Sequence, residues 1–228
     1  MKKSFKFHVL ISLLVIANLA TAQKISLEAG FTNPACYASD LSTTYLNGNQ
    51  IGLTTVIPLK NNLSLLTGAL YTVVYADKKQ GYPNSKGVNY YSFGHFADIP
   101  LRAMYTLPIS NSFKLFAFAG PNLNIGLYQL QITQSTVSNI PTATTDMYAT
   151  NLNRFNLQVG LGGGIQLNKL TLKSGYDFGL LDLNKKNTDN IYQKNWYLTL
   201  GYELGNLFST EKKEKKVKKE KKLKTITR

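Results

Sequence analysis

The chain is poor in the residues that most often carry chemistry. Its 228 residues include one cysteine, Cys36, one tryptophan, and two histidines, His8 and His95. A single thiol excludes an internal disulfide framework. With no second cysteine near it, Cys36 reads as an inert loop thiol rather than a metal ligand or nucleophile. His8 falls in the leader described below, which leaves His95 alone. An acyl hydrolase needs a serine activated by a histidine that a third group orients, and no such set is evident. No cluster of His, Cys and acids has metal-ligand spacing. The glycine-rich stretch 160–164 lacks the Lys-Ser/Thr and the helix start of a phosphate loop. The expectation is therefore no enzyme, no cofactor and no metal.

Long apolar runs are also missing, with one exception. Residues 9–19 form a mainly apolar run, preceded by Lys2, Lys3 and Lys6 and followed by the small residues Ala20-Thr21-Ala22. That is the pattern of a cleaved secretion signal spanning residues 1–22. The run is too short for a spanning helix, which needs about 20 apolar residues. A chain without such a helix can cross a membrane only by pairing all its backbone groups in a closed barrel.

Acidic residues are scarce, 12 against 26 basic ones, for a net charge of +14. The excess is local. The leader lysines contribute +3 and the tail from Glu211 onward contributes +7, so the body carries only +4. This excludes a nucleic-acid-binding surface spread over the domain.

What is present is a strict alternation. Phe155, Leu157, Val159, Leu161, Ile165 and Leu167 are apolar, while Asn156, Gln158, Gly160, Gly162, Gly164 and Gln166 lie between them. Successive strand residues point to opposite faces, so one face is apolar and the other small and polar. Glycines and amides suit a narrow lumen better than open water. Eight extended segments can be drawn: 24–32, 50–59, 63–75, 90–106, 113–133, 153–167, 170–183 and 195–208. Their connections alternate long and short. The short ones are 60–62, 107–112 and 168–169. The long ones are 33–49, 76–89, 134–152 and 184–194, and the Ser/Thr/Ala-rich stretch 134–150 reads as a mobile loop. Short turns at one end, long loops at the other and an even strand count are the signature of bacterial outer-membrane barrels. The predicted fold is all-β: an eight-stranded antiparallel up-and-down transmembrane β-barrel over residues 23–208, with a basic C-terminal tail. Both termini then lie on the periplasmic side of the outer membrane.

Parity sends Leu27, Phe31, Ile51, Leu53, Tyr71, Phe93, Leu101, Tyr105, Trp196, Leu198 and Leu200 outward to outer-membrane lipid, with aromatics near the strand ends as interfacial girdles. It places His95 on the same outer side. The strand charges turn inward: Glu28, Asp98, Arg102, Lys114, Lys173, Asp177 and Glu203. An eight-stranded barrel is about wide enough for side chains to fill, so these charges are expected to pair as a structural plug. The alternative is a small ion or solute pore. Another is a secreted soluble barrel with inverted faces, its apolar ligand lined by Leu157, Val159 and Leu161. Pro58, Pro100 and Pro121 count against regular strands because each removes a ladder donor. Bulges could absorb them, and Pro121 is placed to split its strand or shift its register.

Residues 95–105 (HFADIPLRAMY) resemble the "IPL…Y" strand of the PorT-like outer-membrane β-barrel family of Bacteroidetes. Residues 116–122 (FAFAGPN) resemble the "AGP" strand that follows. Residues 155–164 are similar to the family's next hairpin, and 176–183 with 196–201 to its last. The resemblance covers residues 24–208 and implies a barrel that tolerates these prolines. Most such proteins have no established activity, and the namesake branch is associated with type IX protein secretion. One departure is that twenty residues follow Phe208, where barrels of this kind tend to end.

That tail, residues 209–228, repeats acid-Lys-Lys. Its lysines are Lys212, Lys213, Lys215, Lys216, Lys218, Lys219, Lys221, Lys222 and Lys224. The segment is expected to be disordered or partly helical. In the periplasm its natural targets are anionic: lipid headgroups, cell-wall carboxylates or an acidic protein. The expected role is a non-enzymatic membrane anchor or interaction module, linked to protein secretion or envelope organisation.

Overall fold

Leucine, aromatic and β-branched residues at every second position favour extended backbone, and the chain is almost wholly extended. The computed structural model describes residues 24–38, 41–78, 88–135, 141–186 and 190–205. The expected signal (residues 1–22) and the lysine-rich tail (residues 209–228) lie outside them.

Eight strands form a closed antiparallel ring. They are β1 (Lys24–Ala38), β3 (Asn47–Pro58), β4 (Leu63–Lys78), β5 (Val88–Pro108), β6 (Phe113–Ser135), β8 (Phe155–Leu167), β9 (Leu170–Gly179) and β10 (Ile191–Gly205). Each pairs with the next in this order, and β10 returns to β1 along a ladder from Ile25↔Gly205 to Ala38↔Ile191. Two further strands, β2 (Leu41–Tyr45) and β7 (Pro141–Asp146), extend β1 and β6 at the long-loop end. A one-turn helix, α1 (Met147–Thr150), follows β7. Among the described residues no helix is long and apolar enough to cross a membrane, which says nothing of strands.

At one rim the chain reverses in three short turns, with Asn61 (φ 54°) and Asn168 (φ 53°) supplying left-handed backbone that asparagine tolerates. β1 begins and β10 ends at this same rim. The long connections gather at the other rim.

Three expectations are corrected. The first long connection is shorter than drawn, because β1 runs six residues past Thr32 to pair with β10. Pro34 does not stop it. Its carbonyl accepts from Leu46 N, on the side away from β10, so the ladder to β10 loses no donor. The stretch 134–150 is not a loose loop in its described part: Pro141–Asp146 pairs with β6, and α1 is capped by the Asp146 carboxylate, which accepts from Tyr148 N and Ala149 N. Finally, β9 ends at Gly179, and of the apolar residues after it Leu183 joins the buried cluster over the ring while Leu180 and Leu181 stay exposed.

The strand prolines neither split a strand nor shift a register. Between β4 and β5 the ladder skips the pairs at Ile99 and Pro100 and resumes unchanged. Between β5 and β6 it skips those at Gly120 and Pro121 and again resumes unchanged, while Pro121 keeps its place opposite Val159 of β8. Gly120 carries a φ of 151°, and a Cβ there would lie 2.6 Å from the Leu101 carbonyl oxygen. The one shift in this ladder is a bulge opposite His95, where Leu127 and Tyr128 both face outward.

The faces divide by parity. Phe31 is 63 % and Leu161 60 % exposed on the outside, whereas Asn156 and Gln158 are each 1 % exposed inside. Leu157 and Val159 also face outward, so the inverted barrel with an apolar lumen is excluded. Tyr105 and Tyr202 sit toward the short-turn rim, Tyr75, Phe93 and Phe155 toward the other, with Leu53, Leu101 and Leu200 between them.

Glycine on the inner face makes room rather than turns. A Cβ at Gly160 would run into the Asp177 carboxylate. Gly160→Val should lower unfolding stability in lipid vesicles by about 1–3 kcal/mol, the usual cost of overpacking. Leu161→Val, on the outer face, should cost less in the same urea titration.

Candidate functional site: the lumen

The lumen is filled in three levels. At mid-height five inward charges from three strands, β1, β5 and β9, meet. Arg102 of β5 reaches across to β9, where its Nη2 donates to both carboxylate oxygens of Asp177 at 2.8 and 2.9 Å. Its Nη1 donates to the Tyr197 hydroxyl of β10 at 2.7 Å, and its guanidinium lies 5.2 Å from the Phe118 ring centroid and 5.5 Å from that of Tyr197. Lys173 Nζ donates to Glu28 Oε2 at 2.7 Å, and Thr54 donates to the other oxygen of Glu28. Asp98 is held by neutral donors: Asn122 at 3.0 Å and Asn124 at 2.8 Å on one oxygen, Thr72 at 2.9 Å on the other. Asn122 also donates to Gln158, and Asn156 to Gln193.

The structure thus brings together Glu28, Asp98, Arg102, Lys173 and Asp177, all 6 % exposed or less. It separates Lys114 and Glu203 from them. Both are half-buried at the short-turn rim, where Gln166 donates to Glu203. Missed by charge alone were the neutral members, Thr54, Thr72, Asn122, Asn124 and Tyr197. Their inward parity was readable, but which of them bond across the ring depends on the tilt that closes it.

The upper level is an apolar seal. Leu46, Val74, Ala76, Phe96, Tyr148, Leu152 and Leu183 form one buried cluster, with Cys36, Met147 and Ile191 against it. Tyr148 occupies the space that Gly126 leaves by having no side chain. Arg154 stacks over its ring at 4.9 Å and donates to the Leu127 carbonyl at 2.6 Å, and Lys185 donates to the Tyr148 carbonyl. Burial pushes the Tyr148 phenol above its usual range. The Asp182 carboxylate pins the last loop, accepting from Asn184 N and Ile191 N. These loop apolar residues were the missed signal, since residues meant for water carry no reason to be Leu or Tyr.

The lowest level is open. A cavity of about 360 Å³ faces the short-turn rim, whereas the middle and upper levels hold voids of only about 20 and 10 Å³. Such voids admit about one water each.

His95 lies on the outer wall, half-buried among Tyr71, Phe93 and Tyr128, with its Nδ1 hydrogen-bonded to the Tyr71 hydroxyl. Among the described residues no group of His, Cys and acids could hold a metal ion.

An apolar outer wall around a polar lumen is the arrangement of a barrel in lipid. Residues 20–185 match the family described as "Outer membrane protein beta-barrel domain". The chain belongs to this family. This outer-membrane barrel is also similar in fold to solved structures of low sequence identity. Neisserial surface protein A is 13 % identical, covering 79 % of this chain and 97 % of its own, with a TM-score of 0.44. Ail, the attachment invasion locus protein of Yersinia pestis, is 15 % identical over 78 % of this chain and 97 % of its own, with a TM-score of 0.38. The outer membrane enzyme PagL is 11 % identical over 77 % and 99 %, with a TM-score of 0.38. No curated protein matches the chain.

Removing one partner of a buried ion pair strands the other charge, whereas removing both does not. Lys173→Met in this outer-membrane barrel should cost about 3–5 kcal/mol of unfolding stability. Adding Glu28→Gln should recover most of that loss. An equal or larger loss in the double variant would show that Glu28 and Lys173 do not act as a pair.

Proposed function

We propose that this protein is a non-conducting, non-enzymatic anchor of the outer membrane that presents its loop rim and its basic tail to partners. The observation that carries the reading is the filled lumen. The Arg102–Asp177 and Lys173–Glu28 pairs cross it, and the apolar cluster around Tyr148 closes the loop end above them. A conducting path would need a continuous wet route, and eight strands leave little width for one.

In this reading the short-turn rim, with the start of β1 and the end of β10, faces the periplasm. The tail lysines, Lys212 to Lys224, then meet anionic lipid, cell wall or an acidic protein there. Each lysine near an anionic surface contributes on the order of 1 kcal/mol at low salt. The service is envelope organisation or protein secretion, the setting implied by the resemblance to PorT-like barrels.

Reconstituted into planar bilayers, the full chain should give no discrete conductance steps, and steps that change on neutralising Asp98 or Arg102 would establish the pore instead. Deleting residues 209–228 should leave the heat-dependent gel shift of the folded barrel intact while abolishing salt-sensitive co-purification of periplasmic partners. If every partner still co-purifies, the tail is not the tether.

A further inference from the structure

The cavity at the short-turn rim is blind. Its mouth opens beside the turns, and its inner end is stopped by the Glu28–Lys173 pair. At about 360 Å³ it lies within the range of small-molecule sites, about 300–1,000 Å³. A plain hydrated vestibule would be polar throughout. This one has an apolar floor: Leu66, Met104 and Phe116 belong to a hydrophobic cluster and line it together. Thr54, Thr106 and Thr171 supply hydroxyls on the walls.

Charge at the mouth selects a sign. Glu28 and Lys173 neutralise each other, while Glu203, which accepts from the neutral Gln166 amide, keeps its charge against three lysines. Lys114 has no ion pair among the described residues, although it is half-buried and lines the cavity. Lys60 and Lys169 stand on the adjoining turns. A half-buried ammonium with no ion pair among the described residues, set over an apolar floor and beside two more lysines, favours an anion that brings an apolar body with it.

We infer that the cavity is a binding site for an amphipathic monoanion, its head on Lys114 and its short apolar body on Leu66, Met104 and Phe116. The proposal goes beyond the anchor reading and does not need the tail. Such an anion reaches the site either as a free carboxylate or as the product of lipid breakdown, and both share this chemistry.

The test uses the methionines. Beyond Met1 the chain has only Met104, in the cavity floor, and Met147, packed on the loop seal at the far end. The full-length protein, carrying ¹³C-methyl methionine in phosphatidylcholine nanodiscs, is titrated with octanoate. The Met104 methyl signal should shift saturably while Met147 stays in place. Lys114→Gln should weaken the apparent affinity about ten-fold, the order of one partly buried charge-assisted hydrogen bond. Lys60→Gln should change it little, and heat-modifiable gel mobility shows that each variant is folded. A lysophosphatidylglycerol arm, a monoanionic product of lipid breakdown, run beside octanoate separates a lipid source from a free acid by which of them saturates first. The proposal fails if Met104 does not move, if 1-octanol binds as tightly as octanoate, or if both methionines drift together without saturation.

Discussion

The pairing of β10 with β1 closes the eight-strand ring and leaves its spanning part without a free edge, and the rest of the molecule answers to that closure. A spanning sheet in lipid has no water to satisfy an unpaired N–H or carbonyl, so every ladder must find a neighbour. Once the ring closes, the pleat fixes which residues face lipid and which face one another across a narrow bore. Leu53, Leu101, Leu161 and Leu200 cost nothing on the outside, but the same period forces Glu28, Asp98, Arg102, Lys173 and Asp177 inward. Charges so placed must be compensated, and Arg102–Asp177 and Lys173–Glu28 are the two direct ion pairs. The glycines opposite them follow from the same crowding, as Gly160 against Asp177 shows.

The two prolines of β5 and β6 illustrate how far closure tolerates local loss. The gaps they leave lie on opposite sides of one short stretch, Ile99 and Pro100 toward β4, Leu101 and Arg102 toward β6. Arg102 stands at the end of that stretch. It pairs with Leu66 of β4 but, like Leu101, has no ladder partner on β6, and its side chain makes three hydrogen bonds across the lumen. The cross-lumen bonds hold a part of β5 that its ladders hold less firmly. Register survives on both sides because the pleat period, and with it the burial of the whole strand, would be reversed by a slip of one residue.

That period is why so much was legible. Outward and inward faces, the eight strands and the short-turn rim follow from a repeat of two residues and from turn chemistry such as Asn168-Lys169. Strand ends at the other rim were not legible, because there the pattern serves a different purpose. Pro34 and the Thr-rich run of β7 look like loop by composition, yet they build β1 upward and pair with β6, whereas residues 180–183 continue the strand's apolar pattern but leave the ladder at Gly179 and carry Leu183 onto the seal. Composition reports what a residue prefers alone, whereas the seal depends on Leu46, Tyr148, Leu152 and Leu183 arriving from three separate connections. Likewise, the seven inward charges were visible one at a time, but not that five would form one layer while Lys114 and Glu203 stayed at the mouth. That division depends on strand tilt, which a linear period does not encode.

The lumen is therefore asymmetric by construction. Toward the long loops, apolar side chains meet and exclude water, so the polar layer beneath them is shielded and its ion pairs strengthened. Toward the short turns there are only four, four and two residues between strands, too few to fold back over the opening. A barrel with short turns at one rim cannot close that rim with its own turns. What remains is a space bounded by the polar layer, floored by Leu66, Met104 and Phe116 and edged by Lys114. The turn lengths that mark this rim in the sequence are thus the reason that it, and not the loop rim, is left open.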